Sequence, residues 1–141
     1  MLNNIPKILS SDLVKMMMDM GHGDELVIGD GNFPGSSMGV PVVHLDGHGV
    51  PEILDAILEL MPLDKYVKTP TAIMEVIAGD TIVPVIWDEY RAILKKHGCD
   101  IEPEHIERYA FYERAKKTFC VVQSSESAQY ANIILKKGIV K

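Results

Sequence analysis

Apolar residues in this chain fall into two kinds of segment, one with helical spacing and one of short unbroken runs. From Ser11 to Met20 they recur at Leu13, Val14, Met17 and Met20, one face of a helix that Ser10 can cap. Gly21 is predicted to stop that helix by turning left-handed. Leu26-Val27-Ile28 and Pro41 to Leu45 read as buried strands. A second helix follows with Pro51 in its first turn and Ile53, Leu54, Ile57, Leu58 and Met61 on its apolar face. Ala72 to Ile77 reads as another strand. Pro84 opens a helix with Val85, Ile86, Tyr90, Ile93 and Leu94 inward and Gly98 as its stop. Ile106 to Tyr109 is predicted as a short strand, Phe111 to Lys117 as helix, and Thr118 to Val122 and Asn132 to Leu135 as strands. Alternation of this kind predicts an α/β layered domain.

Length adds the boundary. With 141 residues and no repeat, linker or low-complexity stretch, residues 1–141 form a single domain. That is long enough for one filled core without a disulfide or metal staple. Cys99 and Cys120 are too few for a disulfide framework and lack metal-type spacing, and Cys120 reads as a core thiol. The methionines at 16, 17, 18 and 20 read as core and contact surface. A net charge of −6, with basic residues scattered at Arg114, Lys116, Lys117, Lys136 and Lys137, argues against nucleic acid and anionic membrane as partners. The N-terminus has no signal-peptide pattern, and no apolar run approaches the ~18 residues of a membrane span, so the cytoplasm is the expected compartment.

The chemistry concentrates in two places. Met20-Gly21-His22-Gly23-Asp24-Glu25 puts a histidine in a glycine-flanked loop after a helix, and Asp30 follows a buried strand. Imidazole and carboxylate are the side chains suited to moving protons near neutral pH. A position just past a helix C-terminus predicts that the dipole favours the imidazolium of His22. Asp30 sits where open α/β sheets bind ligands, outside the carboxyl end of a strand. The bland readings are a capping histidine and a turn aspartate in Asp30-Gly31. Gly29-Asp30-Gly31-Asn32-Phe33-Pro34 begins like a dinucleotide fingerprint, but Pro34 stands at the third glycine position. A metal reading would gather His22, Asp30, His44, Asp46 and His48, whose spacing matches no strong ligand motif. No serine or cysteine lies in a nucleophile-elbow context. Near the C-terminus, Tyr109, Phe111, Tyr112 and Phe119 cluster with Arg108, Glu113 and Arg114, and Tyr130 and Asn132 precede the last strand. An aromatic face with a few directional polar groups suits a sugar. Phe111 and Phe119 read as core or contact residues.

The residues that carry a family resemblance are Met20 to Glu25, Asp30 with Asn32-Phe33-Pro34, Pro62-Leu63-Asp64-Lys65-Tyr66, Phe111 to Lys117, and Tyr130 to Gly138. On these motifs the chain, from about Ile5 to Gly138, resembles the ribose-pyranase/fucose-mutarotase family, and within it the fucose branch. The resemblance implies a three-layer α/β/α domain with a mixed, mostly parallel sheet. It implies interconversion of the α and β anomers of a free monosaccharide, L-fucose first and D-ribose as the alternative. His22 would be the proton donor. Asp30, Asp64, Arg108, Tyr112, Tyr130 and Asn132 would contact the sugar. No metal, nucleotide or other cofactor is implied. The partner is a second copy of the chain, in rings and assemblies up to decamers with sites at subunit interfaces. The general base stays open among Tyr112, Tyr130 and a held water. Two positions depart from the family: Gly31 replaces the usual alanine, and Ala131 replaces the glycine of the fucose branch, as in the ribose branch. Two other readings share these residues: a sugar-binding protein without catalysis, and an oligomer whose glycine loops only make contacts.

Overall fold

A computed structural model describes residues 1–141. The elements in chain order are α1 (Ser11–Asp19), β1 (Glu25–Gly29), a 3-10 turn (Gly35–Met38), β2 (Val42–Leu45), α2 (Val50–Leu60), β3 (Thr71–Met74), α3 (Ile86–Lys96), β4 (Glu104–Ile106), α4 (Arg108–Ala115), β5 (Cys120–Ser124) and β6 (Ile133–Lys136). The strands form one sheet in the order β2-β5-β1-β6-β3-β4. β6 pairs antiparallel with both β1 and β3, and every other pairing is parallel. The sheet is therefore mixed and mostly parallel.

Alternate residues of the strands face opposite ways, which builds the three layers. Leu26, Ile28, Cys120, Val122, Ile133 and Leu135 face α1, α2 and α3, in a core that includes Leu13, Ile53, Leu54, Ile57 and Tyr90. Val27, Val121 and Ile134 face the other way, against Phe111 and Ala115 of α4 and Phe33 and Met38 beside the 3-10 turn. The first core has 24 buried residues and the second 9. The thin second layer is the one that leaves room for a cavity.

Four local expectations are corrected. Gly21 is not the left-handed stop. α1 ends because Met20 turns extended (φ −67°, ψ 135°), and the left-handed residue is Gly23 (φ 87°). β3 ends at Met74, because the chain turns out after Glu75 and leaves Ile77 44% exposed. Val85 lies outside its helix and is 74% exposed. The short strand predicted at Ile106 to Tyr109 is instead Glu104–Ile106. Glu107 then caps α4 by accepting from the Tyr109 and Ala110 N–H groups, which draws Arg108 and Tyr109 into the helix. α4 itself starts three residues before the predicted Phe111, and the remaining elements agree within two residues: the Ser10 hydroxyl accepts from Leu13 N–H as a cap, and Gly98 (φ 84°) follows α3. No helix is long and apolar enough to cross a membrane.

Candidate active site

β6 runs against its neighbours, so its start lies beside the carboxyl end of β1 and its end beside the amino end of β1. The predicted site residues divide between these two edges.

At the carboxyl edge, Asp30 follows β1 and Asn132 precedes β6. The Asp30 N–H donates to Asn132 Oδ1 at 2.8 Å. That bond fixes the amide, and the Asn132 NH2 has no protein partner and remains a donor for a ligand. One Asp30 carboxylate oxygen accepts from Asn32 N–H at 3.0 Å. Gln123 and Ser124, at the end of β5, donate to the carbonyls of Asp30 (2.7 Å) and Gly29 (2.6 Å). Gly29 is required by space, since the ring of Phe33 packs where a Cβ would stand. Burial pushes the Asp30 carboxyl above its ordinary range, against the pull of the Asn32, Ala131 and Phe33 N–H groups.

Tyr130 has the left-handed backbone that side chains rarely adopt (φ 57°), a strain of order 1–3 kcal/mol. Three contacts hold it there. Trp87 Nε1 donates to the Tyr130 carbonyl at 2.7 Å, the Tyr90 hydroxyl donates to the Ala131 carbonyl at 2.6 Å, and the Tyr130 hydroxyl donates to Asp80 Oδ2 at 2.6 Å. From α4, Arg108 Nε donates to the Tyr112 hydroxyl oxygen at 3.2 Å, with the guanidinium 5.6 Å from that ring. Asp30, Arg108, Tyr112, Tyr130 and Asn132 line one open cavity of about 280 Å³, with Phe33, Met74 and Ile77 as its apolar wall. That is just under the roughly 300–1,000 Å³ of drug-sized pockets and suits a small polar ligand.

At the opposite edge, His22 Nε2 lies 3.0 Å from Asp64 Oδ1, and the same oxygen accepts from Tyr66 N–H at 3.0 Å. The Tyr66 N–H, then the His22 ring, hold the Asp64 carboxyl below its ordinary range. Facing an ionised carboxylate, Nε2 carries the hydrogen and Nδ1 is the free ring nitrogen. The His22 side chain is 44% exposed and leans on the Tyr66 ring, centroids 5.5 Å apart. Gly23 N–H donates to the Lys137 carbonyl beyond β6, which ties the loop to the sheet. The charge that His22 faces is Asp64; α1 ends at Asp19, and a dipole effect fades within the last turn.

One copy of the chain therefore does not bring His22 and Asp64 to the cavity. A five-residue strand separates the two edges, a span of about 16 Å. Nor does the structure gather the residues of the metal reading. His22 is on Asp64, Asp30 lines the cavity, His44 is 3.6 Å from Asp46, and His48 bonds Glu52. Residues that sequence reasoning missed are Asp80, Trp87, Tyr90 and Gln123, whose partners lie 41 to 93 positions away. The one local sign was Gly79-Asp80 in an irregular stretch, which marks a turn and nothing more.

Comparison with known proteins gives a consistent result. A family model described as the RbsD / FucU transport protein family matches residues 3–140. A human protein named fucose mutarotase is 45% identical over 145 residues, covering 99% of this chain and 94% of that protein. The crystal structure of a fucose mutarotase from Streptococcus pneumoniae in complex with L-fucose superposes with a TM-score of 0.96 at 47% identity, covering 99% of this chain and 100% of that one. Bacillus subtilis RbsD in complex with D-ribose shares the fold, with a TM-score of 0.72 at 24% identity over 94% of this chain and 95% of that one.

Proposed function

The chain belongs to the RbsD / FucU transport protein family, and from that membership we propose that it is an isomerase, a mutarotase that interconverts the α and β anomers of L-fucose. The observation that carries this reading is the whole-length likeness to a fucose mutarotase that holds L-fucose. The cavity chemistry fits it. Asp30 and Tyr130 offer acceptors, Asn132 and Arg108 offer donors, and Phe33 and Met74 offer an apolar face to the sugar's C–H groups. With both cysteines free and no spanning helix, the cytoplasm is the compartment proposed.

Anomer exchange opens and recloses the ring. A proton must reach the ring oxygen as another leaves the anomeric hydroxyl. In its imidazolium form His22 gives its Nδ1 proton to the ring oxygen, while Asp64, bonded at Nε2, fixes the orientation of the ring rather than touching the sugar. Because His22 sits at the far edge of its own subunit, the donor for each cavity comes from a second copy packed head to tail. Apolar surface flanks both edges. Tyr66, Ile139 and Val140 are exposed beside the His22 edge, and Ile77 and Tyr109 beside the cavity. Heterologous contacts of this kind build a ring when the rotation between copies closes.

Magnetisation transfer between the anomeric protons of L-fucose, with and without protein, tests the activity, with D-ribose run in parallel. Faster fucose exchange is expected. Acceleration of ribose alone would move the chain to the ribose reaction, consistent with Ala131, and acceleration of neither would leave sugar binding without catalysis.

A further inference from the structure

One helix acts on the cavity without lining it. Trp87 and Tyr90 stand three positions apart on α3, so they share a face of that helix. Each donates to a carbonyl of the segment that leads into β6: Trp87 Nε1 to Tyr130 at 2.7 Å, and the Tyr90 hydroxyl to Ala131 at 2.6 Å. The Trp87 indole is itself packed edge-on against the His105 ring, centroids 5.2 Å apart, and His105 is paired with Glu102 at 3.0 Å. The Tyr130–Ala131 peptide is trans and planar, so its carbonyl and its N–H point in opposite directions. With the carbonyl drawn to α3, the Ala131 N–H faces the Asp30 carboxylate. Burial raises that carboxyl, and this N–H, with those of Asn32 and Phe33, pulls it back down.

We propose that Trp87 is a positioning residue for sugar binding: by holding the Tyr130 carbonyl from outside the cavity, it aims the Ala131 N–H at Asp30 and keeps that carboxylate set to accept from a sugar hydroxyl. This rests on the mutarotase reading above. The left-handed backbone of Tyr130 (φ 57°) is strained, and such a conformation persists only where its surroundings hold it. Without the indole N–H the peptide turns, the Ala131 N–H leaves Asp30, and only two N–H groups still oppose burial. Asp30 then takes up a proton at a higher pH. The other titratable groups around it are unchanged: Glu126 and Tyr90 near it, Arg108 and Tyr112 across the cavity, and Tyr130 with its partner Asp80. Tyr90 stays a donor throughout, because burial, then the Glu126 and Asp30 charges, push its phenol far up.

Trp87 is the only tryptophan of the chain. Growth on benzothienylalanine in place of tryptophan therefore changes one side chain, and within it exchanges the indole N–H for a sulfur that cannot donate. Calorimetric titration with L-fucose across pH should show affinity about tenfold weaker, the worth of one hydrogen bond. The pH at which affinity falls away in acid should rise by about one unit. The exchange rate at saturating fucose should stay close to that of tryptophan-grown protein, because the loss is one of binding. Trp87→Phe, which also lacks the N–H, should move the pH profile in the same direction. A purely structural role would lower Tm and leave the profile where it is. An unchanged affinity, or a weaker affinity with an unmoved pH profile, would overturn the proposal. Failure of the mutarotase reading shows itself separately, as no acceleration of exchange by tryptophan-grown protein.

Discussion

The two edges of the β1–β6 ladder are built on different terms. At the carboxyl edge the groups that shape the cavity are fixed by bonds within the chain: the Asp30 N–H to Asn132, the Asp30 carbonyl to Gln123, the Tyr130 carbonyl to Trp87, the Tyr130 hydroxyl to Asp80. At the amino edge His22 sits half-exposed in a glycine loop, with one hydrogen bond to Asp64 and one aromatic neighbour. The contrast matches two tasks. Recognising a sugar depends on donors and acceptors fixed before it arrives, since the ordering is then already done. Donating a proton to a sugar held by a neighbouring copy depends on a group that stands at the surface of its own subunit, which burial within the fold would prevent.

The largest test of this division is His22→Ala. Exchange at saturating fucose should drop ~10²–10⁴-fold, while fucose affinity changes less than about threefold, because the interaction develops in the transition state. Calorimetric binding beside the NMR rate reads both, and an equal loss in each would erase the distinction between the edges. Mixing comes next. His22→Ala and Asp30→Ala proteins, each inactive alone, should regain activity when unfolded together and reassembled, since some cavities then pair an intact donor with an intact acceptor. No recovery in particles shown by mass to be mixed would place the whole reaction within one copy.

Asn132→Ala should show the fixed edge for what it is. Its loss strands the buried Asp30 N–H and removes the NH2 proposed as a donor to the sugar. About 1–3 kcal/mol of stability, a shift of several °C in Tm, should go with weakened fucose binding, and a rate loss at saturation with unchanged binding would contradict it. Acid should separate the edges too. The Asp30 carboxyl is raised by burial, so sugar affinity should weaken as pH falls while ordinary carboxylates are still ionised. The Asp64 carboxyl is lowered, so the stability it contributes is complete above its unfolded value, near pH 4, and is lost only as pH falls through its lower folded one. Tm against pH for the wild type and Asp64→Asn should therefore differ by a constant above that range and converge below it. The smallest effect is expected at Gly31. A Cβ there would stand 3.0 Å from the Glu126 carbonyl, which already accepts from Gly31 N–H. Gly31→Ala should shift affinity no more than a few-fold by titration, as this loop adjusts by tenths of an ångström.

Much of the fold was legible because it rests on local pattern. The Ser10 cap, the stripe Leu13-Met17-Met20 and the run Leu26-Val27-Ile28 each announce their element within a few residues. α4 did so only in part: its stretch from Phe111 was legible as helix, but Arg108 to Ala110 were not, because the start is set by the Glu107 carboxylate. In the site, Asp30 and Asn132 could be singled out by standing at strand ends. What could not be read is the division into edges, since that depends on β6 running against its neighbours. Asp80, joined to Tyr130 across 50 positions, is invisible to any local rule.

The strand order has one more consequence, for how the chain comes to be folded. β2, β5 and β1 form one half of the sheet and β3 and β4 the other, and β6 alone bridges them. On a ribosome, both halves emerge before the strand that joins them, each with an unpaired edge of the kind that invites aggregation. The chain therefore waits, open and adhesive, until residue 136 has cleared the exit tunnel. A nascent chain stalled before β6 should be cut readily by protease, and one stalled well after it should resist.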